Sequence, residues 1–345
     1  MVYRNVTFLD RNYNTVLGDI ETENGIVTSL NIKGEGRGEP VLPPFTDIHI
    51  HGGYGVDIMN AVSSEIMYLS KRLYEDNVGA YMPTTVAKSY SKILCCAKEV
   101  RAASKNRDYA EIAGIHIEGP FISHKYKGIM EDKFITSCDT KLYDDLKEIM
   151  GDLKIRFTIA PECEGAEEFC KYVTENGDYI SIGHSGGTYE DCKRLTGAGA
   201  SSYTHLFNAM SPLHHRETGV TGAGLLDNNF VEVICDFVHL SKPCAELITR
   251  LKKDKIILVT DAMEAMGCEK GKYVFCGKEV MVDDSSVRDG SGRLAGSILT
   301  MKKAVKNMAE ITGYKAAVKM AAENPAKLLG LEKYGYIDMG KRIIL

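Results

Sequence analysis

The sequence predicts an α/β fold, a parallel (β/α)8 barrel, and three observations carry that expectation. From residue 41 onward, short apolar runs alternate with amphipathic helical stretches. About eight such runs occur, and residues able to hold a metal or move a proton stand at the C-terminal ends of most of them. That end is where parallel barrels build their active sites. No glycine-rich dinucleotide fingerprint opens the first helix, which counts against an open Rossmann sheet.

Taken in order, residues 1–40 read as a small β region. Val6-Thr7-Phe8-Leu9 and Ile26-Val27-Thr28-Ser29-Leu30 are β-rich, and Asn24-Gly25 is a turn signal just before the second run. Gly34, Gly36 and Gly38 mark a connector. The barrel strands are expected at 46–50, 80–84, 112–117, 155–160, 179–183, 202–206, 231–235 and 256–260. Val62, Ile66, Leu69 and Leu73 recur at helical spacing, and Asn77 and Gly79 stop that helix. Thr188 with Asp191 reads as a capping box, and Asn176-Gly177 ends the helix before the fifth strand. A hairpin is expected at 272–292, then helices around 298–311 and 316–323, with Pro325 opening a new short helix.

Composition narrows the function. With 44% hydrophobic and 26% charged residues, the 345-residue chain is neither disordered nor fibrous. No apolar run approaches the ~20 residues of a membrane span, and the N-terminus does not read as a signal peptide. A net charge of −5 offers no basic field for nucleic acid or anionic lipid, so an anionic substrate has to be held by a few local groups. The 10 cysteines show no CxxC spacing and read as reduced, which implies the cytoplasm.

Five strand ends carry the chemistry. The first ends in His49-Ile50-His51, the third in His116-Ile117-Glu118, the fifth in Gly183-His184-Ser185, the sixth in Thr204-His205 and the eighth in Thr260-Asp261. Strand residues two apart share a face, so His49 and His51 can both point into the barrel mouth. Glu118, His184, His205 and Asp261 come from other strands toward the same axis. Imidazole and carboxylate together suit zinc, iron, cobalt or manganese. Six such groups exceed the needs of one tetrahedral ion, so a two-metal centre with a bridging carboxylate is expected, with one or two divalent ions per chain. His116 shares a face with Glu118 and reads as a packing or orienting group, Asp47 reads as a supporting or structural one, and His124 receives no role.

Several stretches resemble the N-acetylglucosamine-6-phosphate deacetylase family of the amidohydrolase superfamily. They are Pro44 to Gly52, His116-Ile117-Glu118-Gly119-Pro120-Phe121, Gly183-His184-Ser185, Thr204-His205-Leu206-Phe207-Asn208-Ala209-Met210, His215-Arg216-Glu217, Val259-Thr260-Asp261-Ala262 and Leu294-Ala295-Gly296-Ser297. The resemblance implies that Glu118, His184 and His205 form the main metal site, that His49 and His51 form a second one, and that Asp261 is the catalytic carboxylate. It implies that Asn208, Ala209, Arg216, His239 and Leu294 hold the sugar phosphate. It also implies a small β-sandwich from both chain ends (1–43 with 325–345, around a 44–324 barrel) and a homodimer in which the loop near Arg216 reaches the neighbouring site. The chain departs from the family at Met130, where members carry His or Gln. It departs again at Cys235-Asp236, where an Asp-Gly pair is usual, and in its short C-terminus.

The implied reaction is hydrolysis of the acetamido group of N-acetylglucosamine 6-phosphate, with Asp261 shuttling the proton. Two other readings fit the residues. One is a different amidohydrolase, acting on N-acetylgalactosamine 6-phosphate or a cyclic amide. The other is a non-catalytic sugar-phosphate or metal-binding protein.

Overall fold

The computed structural model describes residues 1–345. Eight parallel strands form the expected TIM-type barrel: Phe45–Ile50, Val78–Thr85, Gly114–Glu118, Lys154–Ile159, Tyr179–Ile182, Ser202–Tyr203, Phe230–Ile234 and Ile256–Val259. Every residue of the first two is buried, as expected of strands covered on both faces. The first and last strands meet at their C-terminal ends. There the amides of His51 and Gly52 both donate to Ala262 O, at 2.8 and 3.0 Å, and Asp261 N donates to His49 O at 2.9 Å. Asp47, fully buried, clasps the same seam by accepting from Thr260 Oγ1 at 2.6 Å. Its expected supporting role is therefore barrel closure.

Amphipathic helices cover the outside. In Ser63–Glu75 the buried side chains are Ile66, Leu69, Ser70 and Leu73, one stripe at helical spacing. Thr188 and Asp191 form the capping box of Tyr189–Gly197. Inside, the barrel is polar beneath its mouth. His116 Nε2 lies 2.7 Å from Thr158 Oγ1, which is 2.7 Å from Thr204 Oγ1, itself 2.7 Å from Ser181 Oγ.

At the N-terminus, Val2–Leu9, Thr15–Glu23 and Ile26–Glu35 form an antiparallel sheet in sequence order. Val16, Ile20 and Val27 face inward with Phe8, and Ile337 and Ile343 from the other chain end complete their cluster. The C-terminal segment joins this sheet through a bridge between Ile26 and Arg342, with Val27 N donating to Lys341 O, Gly340 N to Val27 O and Ile343 N to Gly25 O, each at 2.9 Å.

Three expectations need correction. The hairpin is a three-stranded antiparallel sheet, Gly271–Phe275, Lys278–Val282 and Val287–Asp289; its third strand is too short to show a period. The sixth barrel strand stops at Tyr203 because the chain turns left-handed at His205, with φ of 30°. Pro325 opens no helix: Tyr314–Leu329 runs through it, so the unit boundary expected between 324 and 325 falls inside a helix packed on the barrel. Burial of this helix on the first and last strands outweighs the single donor that proline removes.

Gly183 precedes His184 in a crowded part of the barrel interior. A Cβ there would stand 2.7 Å from Thr204 Cβ and 2.8 Å from Thr158 Cγ2. Gly183→Ala should therefore push both threonines and cost about 1–3 kcal/mol as an overpacked core does. Denaturant unfolding reads this; an unchanged midpoint would show that the interior yields freely.

Candidate metal centre and substrate cavity

The barrel brings the strand-end residues together. Glu118 Oε1 lies 3.2 Å from His184 Nε2, 3.1 Å from His205 Nε2 and 3.3 Å from His49 Nε2, while its Oε2 lies 3.3 Å from His51 Nε2. Asp261 Oδ1 stands 3.1 Å from His51 Nε2 and 3.3 Å from His49 Nε2. Two triads result, His49-His51-Glu118 and Glu118-His184-His205, with Glu118 common to both. All six residues are buried.

The arrangement fits a divalent metal on its own chemistry. His184 Nδ1 lies 2.8 Å from Tyr126 O and His51 Nδ1 lies 3.2 Å from Thr84 O, so those nitrogens carry the protons. The Nε2 lone pairs then face inward; the same holds for His49, whose Nδ1 lies 3.0 Å from Glu232 Oε2, and Nε2 of His49 and of His51 are only 3.3 Å apart. Two such lone pairs repel unless a cation lies between them. Ligands bound at ~2.1 Å in a tetrahedral array stand about 3.4 Å apart, close to every separation in both triads.

Several of these residues are held in costly backbone. His184, His205 and Asp261 have φ of 49°, 30° and 50°, and Ala209 has 49°. Side chains seldom occupy this left-handed region, at roughly 1–3 kcal/mol each. Backbone bonds hold the turns: Ser123 N to His184 O at 2.8 Å, Asn208 N to His205 O at 2.9 Å and Ser297 N to Asp261 O at 2.8 Å. Glu162 accepts from Ser185 Oγ and Gly186 N, both at 2.6 Å, and so steadies the turn after His184.

A cavity of about 560 Å³ opens above the centre. His51, Glu118, His184, His205 and Asp261 line it, together with Asn208, Ala209, His239 and Leu294. His239 is fixed by Asp236, whose Oδ2 lies 2.6 Å from its Nδ1. Met130 also lines the wall, as do Phe275 and Cys276 from the three-stranded sheet. His49 sits below the floor, fully buried.

Arg216 does not reach this cavity. It is exposed on a loop that folds back on itself through a bridge between His214 and Glu217, and Glu217 anchors that loop to Tyr189 N at 3.1 Å. The cations lining the cavity are instead Lys125, Lys127, Arg288 and Arg293. His116 is no ligand here: its nitrogens face Thr84 and Thr158 at 3.2 and 2.7 Å. His124 lies outside the cavity, 3.0 Å from Asp132. The sequence reading missed Glu232 and Arg156. Both are isolated charges in the middle of apolar strands that prove fully buried, and that pattern is the signal that could have found them.

Comparison with known proteins agrees with this geometry. The amidohydrolase family model matches residues 41–343. The N-acetylglucosamine-6-phosphate deacetylase of Bacillus subtilis (strain 168) is 38% identical, over 87% of this chain and 78% of its own. An N-acetylgalactosamine-6-phosphate deacetylase of Escherichia coli O157:H7 is 34% identical over 88% and 82%. The crystal structure of N-acetylglucosamine-6-phosphate deacetylase from Thermotoga maritima superposes with a TM-score of 0.91 at 33% identity, covering 99% of this chain and 93% of that one.

The field of the centre predicts a pH dependence. Burial works against a charged imidazole, but Asp261 and Glu118 outweigh it and push His51 up to about 9. His49 is raised well above its ordinary value by the same carboxylates against the same burial, and His184 is raised as well. A histidine raised on folding stabilises fully below the unfolded value of ~6.5 and loses that contribution as pH passes its folded value. Burial also raises Asp47, to about 7, so its own window closes near neutrality. The melting temperature of metal-stripped protein should therefore fall between pH 7.5 and 9, and saturating zinc should abolish the fall by replacing the protons. A flat profile without metal would mean that the carboxylates do not hold protons on these histidines.

Proposed function

The chain belongs to the amidohydrolase family, and on that premise we propose that it is a metal-dependent deacetylase converting N-acetylglucosamine 6-phosphate to glucosamine 6-phosphate and acetate. The observation that carries this reading is the pair of triads sharing Glu118, with Asp261 beside them on the floor of a cavity large enough for a sugar phosphate. Glu118, His184 and His205 would hold one divalent ion (zinc, iron, cobalt or manganese), and His49 and His51 with Glu118 a second. Metal bound there supplies a water acidified from ~15.7 to about 7 and a Lewis acid for the acetamido carbonyl.

The chain's own residues do the rest. Asp261 takes the proton of the attacking water and delivers it to the departing sugar nitrogen. In the metal-free protein burial would raise its carboxyl, but His49 and His51 hold it far below the usual carboxylate range, so it stands ionised there. His239, Asn208, Ala209 and Leu294 receive the sugar phosphate along the cavity wall. The relative named for the galactosamine epimer supports a second reading, deacetylation of N-acetylgalactosamine 6-phosphate. Acetate release measured on both epimers, with and without the phosphate, decides between them; no release from any would remove the deacetylase reading.

Arg216 is exposed on its own chain, whereas the resemblance gives it a phosphate-binding role alongside the Lys125, Lys127, Arg288 and Arg293 that already line the cavity. A homodimer that carries this loop to the neighbouring cavity reconciles the two, and it is the assembly we propose. Ten free cysteines fit a reducing compartment, hence a cytoplasmic enzyme.

Two variants test the assignments. Asp261→Asn keeps the shape but removes the proton acceptor; deacetylation should drop at least ~10²-fold while the ion at Glu118, His184 and His205 stays bound. Full activity would relieve Asp261 of the shuttle. Arg216→Ala removes a charge-assisted bond worth about 1.5–3 kcal/mol. KM for the phosphorylated sugar should rise roughly ten- to a hundred-fold, with turnover of unphosphorylated N-acetylglucosamine nearly unchanged. An equal loss on both substrates would make Arg216 structural.

A further inference from the structure

An ion pair lies inside the barrel, directly beneath the metal centre, and nothing in the reaction above uses it. Glu232 stands at the middle of Phe230–Ile234 and Arg156 in Lys154–Ile159; both are 0% exposed. Arg156 Nη2 pairs with Glu232 Oε1 and donates to Ser202 Oγ at 3.2 Å. Its Nε and Nη1 are buried with no partner. Such a pair is a poor way to stabilise a core, because apolar residues of the same volume avoid the desolvation and leave no donor unsatisfied. Its presence calls for another reason.

The second oxygen of Glu232 supplies one. Oε2 lies 3.0 Å from His49 Nδ1 and accepts the backbone N–H of His205 at 3.2 Å. One carboxylate thus touches a residue of each triad. Accepting from His49 Nδ1–H fixes the tautomer that leaves Nε2 free toward Glu118, His51 and Asp261. Gripping the amide of His205 holds a residue whose backbone is left-handed. Arg156 meets the carboxylate from the other side, through the single ion pair of its Nη2 with Oε1.

We propose that Glu232, clamped by Arg156, is the positioning residue of the metal centre, setting the orientation of His49 in one triad and the turn of His205 in the other. The proposal rests on the metal-centre reading above. It makes Glu232 neither a ligand nor a catalytic residue. Partners of this kind behind ligating histidines typically contribute ten- to a hundred-fold in metal affinity.

The test removes both buried charges together, so that neither is stranded. Glu232→Leu with Arg156→Met should still fold cooperatively, since no buried charge is stranded, with a melting temperature lowered by the His49 and His205 donors left unpaired. Zinc affinity, read by equilibrium dialysis and elemental analysis without substrate, should fall at least ten-fold. Glu232→Gln with Arg156→Met restores an uncharged acceptor for His49 Nδ1–H and should recover part of the affinity, short of the parent because the Arg156 contact is gone. The proposal is overturned if the Leu/Met protein holds two zinc ions as tightly as the parent. It is overturned equally if the Gln/Met protein binds no better than the Leu/Met one, or if the parent binds only one ion. Because no substrate is present, a parent that binds two ions yet releases no acetate would refute the deacetylase reading alone.

Discussion

Four imidazole nitrogens from four strand-end residues lie within 3.3 Å of one carboxylate, Glu118, and the remainder of the molecule is arranged to make that contact possible. It requires a closed barrel, since the ligands come from strands one, three, five and six. It requires left-handed turns at His184 and His205, which no isolated peptide would hold. It requires a polar interior, because histidines pointing inward need acceptors behind them. Glu232 behind His49, the Thr84 carbonyl behind His51 and the Tyr126 carbonyl behind His184 answer that need.

Charge is distributed to the same end. The chain carries a net charge of −5, yet Lys125, Lys127, Arg288 and Arg293 line the cavity. Arg288 and Arg293 are steadied by the carbonyls of Gly292 and Gly128, both at 2.8 Å, which leaves their positive charge uncompensated by those contacts. This positive mouth, offset at Lys127 by Asp132, stands above a centre built from two carboxylates.

The barrel was legible because its eight strands are apolar runs closed by chemically distinctive residues, and strand two-fold periodicity placed His49 beside His51 without any coordinates. The ligand cluster was legible for the same reason. What escaped had weaker local signals. Val287–Asp289 is too short to show a period. At Pro325 the residue's usual preference for a helix start yields to the tertiary burial of Tyr314–Leu329. Glu232 and Arg156 looked like stray charges, since a pairing across three strands has no sequence spacing to announce it. The sugar-phosphate role of Arg216 rests on the family resemblance, and its own chain does not carry it to the cavity. The folded-back course of its loop depends on Glu217 reaching Tyr189, a contact no periodicity encodes.

The seam between the first and last strands has a consequence for how the protein comes into being. Asp47 and Thr260, clasped across it, are 213 positions apart, and Ile343 must still arrive to cover the N-terminal sheet. During synthesis, His49 and His51 emerge long before His184, His205 or Asp261 exist. A nascent chain therefore carries ligands without a centre, and the barrel cannot close on an ion until about three quarters of the chain is made. Contacts this distant in sequence make for slow, late assembly. The centre is thus a product of completed folding, and a chain halted before the eighth strand would lack it altogether.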